Sequence, residues 1–471
     1  MSAEGKFRVK LISPKMSLRP MDSALKTHMS APLSLLVLGA ATPPDVHVEI
    51  ADENVERVDF DDLPDLVGIT VKVDTLARSR EIARIYRARG VPVVVGGLYP
   101  TTCPHDSLAL ADAVAVGEGE ALWPRILRDA AAGRLQRVYR SEEPLDMADS
   151  PVPRWSLAAD KNYLFLNTIT SSRGCPWKCE FCYSSAAGIH HGYRPKPVEN
   201  VLAEIRSLNT GHVMFIDDNF MGSPERTRRL LRAMEPMKLT WHAAVSADVG
   251  RHPELLDLMA QTGCRSLFIG FETLNRDNLA GCGKSQNRVE DYARTIEALH
   301  ARNIMVNASI VFGFDGDGPR VFEDTVDWLG GMKVETMTAH ILTPYPGTPI
   351  YRRMLAEGRI IDSDLSRYNT AYAVFRPKGM TPAELEDGYR RAYRKFYSWA
   401  SVLRRLPPAG ERRRAYLIFN LFYRRLGPAT GMLGRLGLMG LLAQLGRRMS
   451  YRRRPQAPAG APETEAGTAR T

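Results

Sequence analysis

Short β-rich apolar runs alternate along the chain with longer stretches whose apolar positions recur every three or four residues, the signature of strands interleaved with amphipathic helices. In the N-terminal part, "FRVKLIS", "VHVEIADEN", "DLVGITVKV", "VPVVVGG" and "ADAVAVG" read as strands. "ARSREIARIYRARG" and the stretch beginning near Glu120 read as helices. A nearly continuous apolar run bounded by glycine, as in "VPVVVGG", is how a strand buried on both faces reads, which favours a parallel sheet covered by helices. The predicted class is α/β, with a doubly wound, Rossmann-like domain over residues 1–145 whose ligand belongs at the C-terminal strand ends.

A proline-rich, polar stretch around "SEEPLDMADSPVPRW" predicts a linker over 146–160. The alternation then restarts. "YLFLNTITSS", "HVMFIDDNF", "LTWHAAVSA", "CRSLFIGFETL", "IMVNASIVFGF" and "VETMTAHILTPYPGT" are strand-like, with helical stretches between them. Six such units over 161–375 suit a partial (β/α)6 barrel of the TIM type, in which functional groups collect at the C-terminal strand ends. From 376 to 454 the pattern is helical and basic, and the Pro/Ala/Gly/Glu-rich 455–471 lacks periodicity and is expected to be disordered.

Composition narrows this picture. A chain of 471 residues with 44% hydrophobic content has room for two or three packed domains. Six cysteines are too few for a disulfide scaffold, and no secretory leader opens the sequence, so a reducing cytoplasm is the expected compartment. The net charge of +10 is concentrated: Arg404 to Arg454 is rich in arginine and holds one acid, Glu411. Apolar runs edged by arginine, each too short to span a bilayer, suit either helices packed on the barrel or peripheral contact with the anionic inner membrane surface. Nucleic acid is not an expected partner, because nothing there matches a recognition module.

The candidate chemistry sits in "SSRGCPWKCEFCYSS", where Cys175, Cys179 and Cys182 are spaced C-x3-C-x2-C on a loop after a strand. A structural zinc ion normally takes four ligands, which His190 or His191 would have to complete, since the nearest further cysteines, Cys103 and Cys264, are remote in sequence. An iron-sulfur cube usually takes four cysteines, so three leave one iron open to an exogenous ligand.

With Phe181 before its last cysteine, this motif resembles the signature of the radical S-adenosylmethionine (radical SAM) family. The resemblance implies a 4Fe-4S cluster on Cys175, Cys179 and Cys182 whose open iron is chelated by S-adenosylmethionine, and reductive cleavage to a 5′-deoxyadenosyl radical that abstracts a substrate hydrogen. It implies an electron donor such as flavodoxin or ferredoxin. It also implies cofactor contacts from Asp217, Asp218 and Asn219 in "FIDDNF", from Ser246, from Glu272 in "FIGFET" and from Asn307. Tyr345 in "LTPYPGT" joins the catalytic candidates.

The first domain completes a resemblance to the branch of that family with an N-terminal cobalamin-binding domain, covering roughly residues 5 to 375. "DLVGITVKVDT", "VVVGGLYPT" and "AVAVGEGEALWPRIL" carry the match at three successive strand ends. Thr70, Gly96, Gly97, Tyr99, Gly117, Glu118 and Gly119 are the implied cobalamin contacts, with glycines admitting close backbone approach to a large flat ligand. "DVHVEI" imitates the start of an Asp-x-His-x-x-Gly cobalt-ligand motif, but Ile50 stands where glycine belongs, and period-2 alternation explains His47 as part of a strand. The implied activity is methylation of an unactivated carbon of a small-molecule or lipid-like intermediate. The alternative is a non-methylating cyclase or rearrangement enzyme of the anaerobic chlorophyll-cyclase type. A tRNA methylthiotransferase is disfavoured because its second cysteine triplet is missing. A cobalamin sensor with a vestigial cluster is disfavoured because the triplet is intact.

Overall fold

The structure is a computed structural model that describes residues 6–22, 24–141, 143–208, 210–425 and 441. Its first sheet has six parallel strands, β1 (Arg8–Ser13), β2 (His47–Asp52), β3 (Leu66–Thr70), β4 (Val93–Gly96), β5 (Ala113–Val116) and β6 (Val138–Arg140), in the order β2-β1-β3-β4-β5-β6. Both faces are covered. On one, Val67, Ile69, Val93 and Val95 pack with Ile82 and Tyr86 of helix Leu76–Ala88. On the other, Leu11, Leu66 and Val94 pack with Leu35 of helix Leu33–Ala40 and Trp123 of helix Gly119–Ala131. This two-sided burial is why the strands read as unbroken apolar runs. The strand order reverses at β1, which pairs with both β2 and β3, so the crevice for a ligand lies beyond Ser13 and Thr70. His47 opens β2 at the opposite end from that crevice.

The second sheet is built from β7 (Thr168–Ile169), β10 (His212–Phe215), β11 (Thr240–Ser246), β12 (Cys264–Glu272), β13 (Met305–Phe312) and β14 (Thr336–Ile341), all parallel, in the order β14-β13-β12-β11-β10-β7. The remaining strands, β8 (Ser172–Arg173) and β9 (Arg194–Pro195), form a separate antiparallel pair. Outward residues such as Val213, Trp241, Ile269, Val306 and Met337 join the helices in one continuous core. The alternate residues face the inside of the curve. The first barrel strand is far shorter than "YLFLNTITSS" predicts: two residues, with Leu164 and Phe165 bonded elsewhere.

Those elsewhere bonds come from the first domain. Arg19 donates to the carbonyl of Ala339 (3.4 Å) and to Thr370 Oγ1 (3.4 Å), and lies 3.3 Å from His340 Nδ1, against the β14 edge. Leu164 N donates to His28 O (2.7 Å) and Phe165 N to Met29 O (3.2 Å), just ahead of β7. The stretches 14–22 and 24–30, which follow β1, thus run from one edge of the open barrel sheet to the other.

The predicted linker is tied down: Leu145 N donates to Glu118 (2.7 Å), and Arg154 N to Leu36 O (3.0 Å). In the basic C-terminal region, Tyr416 donates to Val402 O (2.6 Å) of the preceding helix Trp399–Arg404, and Asn420 donates to Glu335 O (3.2 Å), just ahead of β14. The arginine-rich residues beyond, and the predicted tail at 455–471, lie outside the described residues apart from 441. No helix among the described residues is long and apolar enough to cross a membrane.

Candidate active site

The three cysteines sit on a loop pinched at its base by β8 and β9. Gly174 begins the loop at φ +73°, and a Cβ there would stand 2.0 Å from the Gly192 carbonyl oxygen, so only glycine closes the pinch. Asp218 fixes the same point, accepting from Gly174 N (3.0 Å). Farther along, Cys182 N donates to Cys179 O (3.1 Å), Glu180 N to Cys282 O (2.9 Å), and Ile350 N to Glu180 O (3.2 Å), so two neighbouring loops hold the third turn.

Side-chain amides reach two of the sulfurs. Asn219 Nδ2 lies 4.0 Å from Cys175 Sγ and donates to Ser246 Oγ at 3.0 Å; Gln286 Nε2 lies 3.7 Å from Cys179 Sγ. Burial pushes the Cys175 thiol up to about 11, and raises Cys182 as well. These thiols become thiolates only when a metal displaces their protons. Three soft donors on one loop, met by amide N–H groups, fit an iron-sulfur cluster, which spreads its thiolates over separate irons and so does not need them to converge. Among the described residues no group of three or more His, Cys, Asp or Glu side chains is gathered for a single metal ion. His190 Nδ1 instead lies 3.0 Å from Ser184 O.

Beside the loop is a buried ion pair that the sequence did not disclose. Lys284 Nζ donates to Glu272 Oε1 at 2.7 Å and stands 5.9 Å from the Phe181 ring centre, with both partners under a tenth exposed. Burial alone would lower the lysine, but Glu272 and the neighbouring Cys179 outweigh it and hold the ammonium above its ordinary value. Glu272 sits at φ +66°, a left-handed backbone that is costly for a side-chain-bearing residue, where the β12–β13 register shifts. Cys282, likewise unflagged by the sequence pattern, is brought near Cys179. Its thiol donates to Leu279 O (3.5 Å) and is pushed by burial to about 12, so it stays neutral.

Other sequence-predicted residues fall into two groups. Asn219, Ser246 and Glu272 gather at the C-terminal strand ends with the cysteines. Tyr345 packs at a 37° tilt on Tyr183, next to Cys182, with ring centres 5.0 Å apart, and burial holds its phenol protonated. Asn307 is deeper in the barrel, accepting from Thr338 (3.1 Å). Asp217 is the clearest departure: it is buried, accepting from Ser171 N (3.1 Å), Ser171 Oγ (2.9 Å) and Ser172 Oγ. Its carboxylate is occupied in holding β8 rather than turned to a ligand.

At the first sheet, Thr70, Gly96 and Gly97 stand together at the crevice. Gly97 is required by its own backbone: at φ +107°, a Cβ would meet Val71 O at 3.0 Å and Thr70 Oγ1 at 3.1 Å. Gly117 has φ +106° and packs on Ser141, and Gly119 packs on Leu38. Tyr99 is in the core, 3% exposed, with its hydroxyl donating to Asp106 (3.2 Å). The next residue back, Leu98, is the exposed one. Glu118 turns to the barrel. It accepts from Arg173 (2.9 Å) and Arg194 (2.6 Å), while Glu120 takes the other arm of Arg173. Burial opposes its charge, but the two guanidinium groups overcome that and hold the carboxyl at about 2.

A parallel partial barrel with a three-cysteine loop at its C-terminal strand ends defines a radical SAM enzyme. The profile of the Radical SAM superfamily matches residues 169–329, and that of a domain of unknown function matches 348–412. The chain is 28% identical to bacteriochlorophyllide d C-12(1)-methyltransferase of Chlorobaculum tepidum, over 91% of this chain and 96% of that one. It is 27% identical to the hopanoid C-2 methylase of Rhodopseudomonas palustris, over 89% and 81%. Among solved structures, the cobalamin-dependent S-adenosylmethionine radical enzyme OxsB superposes with a TM-score of 0.63 at 14% identity, covering 95% of this chain and 80% of that one. The chain thus carries a Radical SAM domain over 169–329 and resembles, along most of its length, relatives named as methyltransferases.

Proposed function

We propose that the protein is a cobalamin-dependent radical SAM methyltransferase acting on an unactivated carbon of a small-molecule or lipid-like intermediate. The observation that carries this reading is the placement of the three-thiol loop directly beside the C-terminal end of the first sheet, joined to it through Glu118. Cys175, Cys179 and Cys182 would hold a 4Fe-4S cluster, and Asn219, Ser246 and the Glu272–Lys284 pair would border its S-adenosylmethionine. Thr70, Gly96, Gly97 and Leu98 would border cobalamin in a Rossmann-like crevice, and His47, at the far end of β2, would not reach it. When bound, the cluster with S-adenosylmethionine supplies a carbon radical, and cobalamin supplies a methyl group that such a radical can accept.

The barrel interior bears on substrate. Met214 and Ile216 face it while 36% and 44% exposed, a high exposure for residues of a strand paired on both sides and its extension. Asn307, Thr338 and His340 line the opposite wall. Such a chamber suits a molecule with one apolar face and one polar edge. An electron donor of the flavodoxin or ferredoxin type would reduce the cluster, and the C-terminal basic region would bring the enzyme to an anionic membrane surface holding a lipid-like substrate.

The test is comparative metabolite mass spectrometry on a deletion strain complemented with the wild-type chain or with Cys175→Ala. The expected result is a metabolite one methyl group heavier in the wild type alone, with 5′-deoxyadenosine formed by the purified enzyme. A wild-type product that differs by loss of hydrogen with no added carbon would replace methylation with oxidative cyclisation.

A further inference from the structure

Arg173 precedes Gly174 and Cys175, so it is the last residue of the β8 stem before the cluster loop. Its two terminal nitrogens go to different carboxylates of the first domain: Nη1 to Glu118 Oε1 at 2.9 Å and Nη2 to Glu120 Oε1. Glu118 is held a second time by Arg194, at 2.6 and 3.1 Å, and Arg194 is in β9, the other stem of the same loop. Arg194 also donates to Leu145 O (2.8 Å), and Leu145 N donates back to Glu118 (2.7 Å). Both stems of the cluster loop are therefore ion-paired to the turn between β5 and helix Gly119–Ala131. Side-chain exposures of 26%, 19%, 17% and 8% for Arg173, Arg194, Glu118 and Glu120 put the network out of reach of full solvent screening.

The arrangement is more specific than charge attraction. A planar guanidinium forked between two carboxylates fixes direction as well as distance, which a lysine cannot do. The carboxylates are themselves fixed, because Gly117 at φ +106° sets the turn that carries them. The turn is also bonded to the crevice, since Gly117 N donates to Thr101 Oγ1 (3.1 Å) and that hydroxyl donates to Gly97 O (2.8 Å).

We infer that Arg173 is a positioning residue: forked between Glu118 and Glu120, it sets where the cluster loop stands relative to the first-sheet crevice and transmits occupation of that crevice to the loop. This rests on the reading that the crevice holds cobalamin. The clamp replaces the direct cofactor contact implied for Glu118 by the family resemblance.

The experiment is hydrogen exchange on the full chain, anaerobically loaded with iron and sulfide, with and without hydroxocobalamin. In the wild type, cobalamin should slow exchange at the strand ends 70–73 and 96–99 and also in the loop 174–193. Glu120→Gln touches the clamp from the first domain, away from the cysteines. It should keep the strand-end protection and lose at least half of the loop protection, as should Arg173→Lys. Arg194→Gln serves as a second variant on the opposite stem. A residue that only stabilised the fold would raise exchange equally with and without cobalamin. Unchanged cobalamin-linked loop protection in Glu120→Gln and Arg194→Gln would overturn the inference. Wild-type strand ends that hydroxocobalamin fails to protect would instead overturn the cobalamin reading, and the inference with it.

Discussion

At the scale of single residues, the site is dominated by groups whose charge is decided by a neighbour. Lys284 and Glu272 are the sharpest case, a buried pair beside the cluster loop. Removing one partner strands a charge in the interior, so Lys284→Met is expected to destabilise the chain by about 3–5 kcal/mol. The double change with Glu272→Leu is expected to cost less than the single one, as chemical denaturation would read. Cys175→Ala should bring cluster iron and sulfide to background in anaerobic metal analysis while leaving the unfolding transition near that of the metal-free wild type. The cysteines were legible because their spacing is local in the chain. Lys284 and Gln286 were not, since a polar "GCGKSQN" stretch reads as an exposed turn until β12 is laid across it. Tyr99 shows the reverse case: a motif identifies the turn, but not that the tyrosine is buried on Asp106 while Leu98 before it is exposed.

At the scale of elements, the alternation of strands and helices was legible, because both sheets are parallel and buried and their strands need unbroken apolar runs. What failed was length and edges. β6 has three residues with only Tyr139 buried, too little pattern to detect. The first barrel strand stops at two residues because the chain ahead of it pairs with the first domain. The cluster loop depends on its own pinch. Gly174→Ala adds a left-handed penalty and a backbone clash, a loss of more than about 1 kcal/mol at one turn. It should abolish cluster loading while cobalamin binding, followed by visible absorption, stays within twofold of wild type.

For the whole molecule, the joint between the two sheets is ionic, and acid should weaken it. Glu118 is held at about 2 against an ordinary 4.5, so the folded state binds fewer protons than the unfolded chain in that window. Its contribution, about 3 kcal/mol by linkage, is fully present above 4.5 and is lost as pH falls toward 2. Thermal unfolding followed from pH 6 to pH 2.5 should show an acid limb that flattens in Glu118→Gln. None of this joint was visible in one sequence, because its pairs span 53 to 76 residues and carry no local pattern.

The stretch after β1 gives the two halves a second bond of another kind. Because 14–22 and 24–30 carry the seam of the barrel, with Arg19 on β14 and His28 and Met29 ahead of β7, the catalytic half is not a portable module. A chain cut at the linker would leave an open sheet with two raw edges, which is a template for aggregation. Exchanging first domains between relatives would exchange part of the barrel wall as well, so specificity for a substrate and affinity for a cofactor cannot be inherited separately in this architecture.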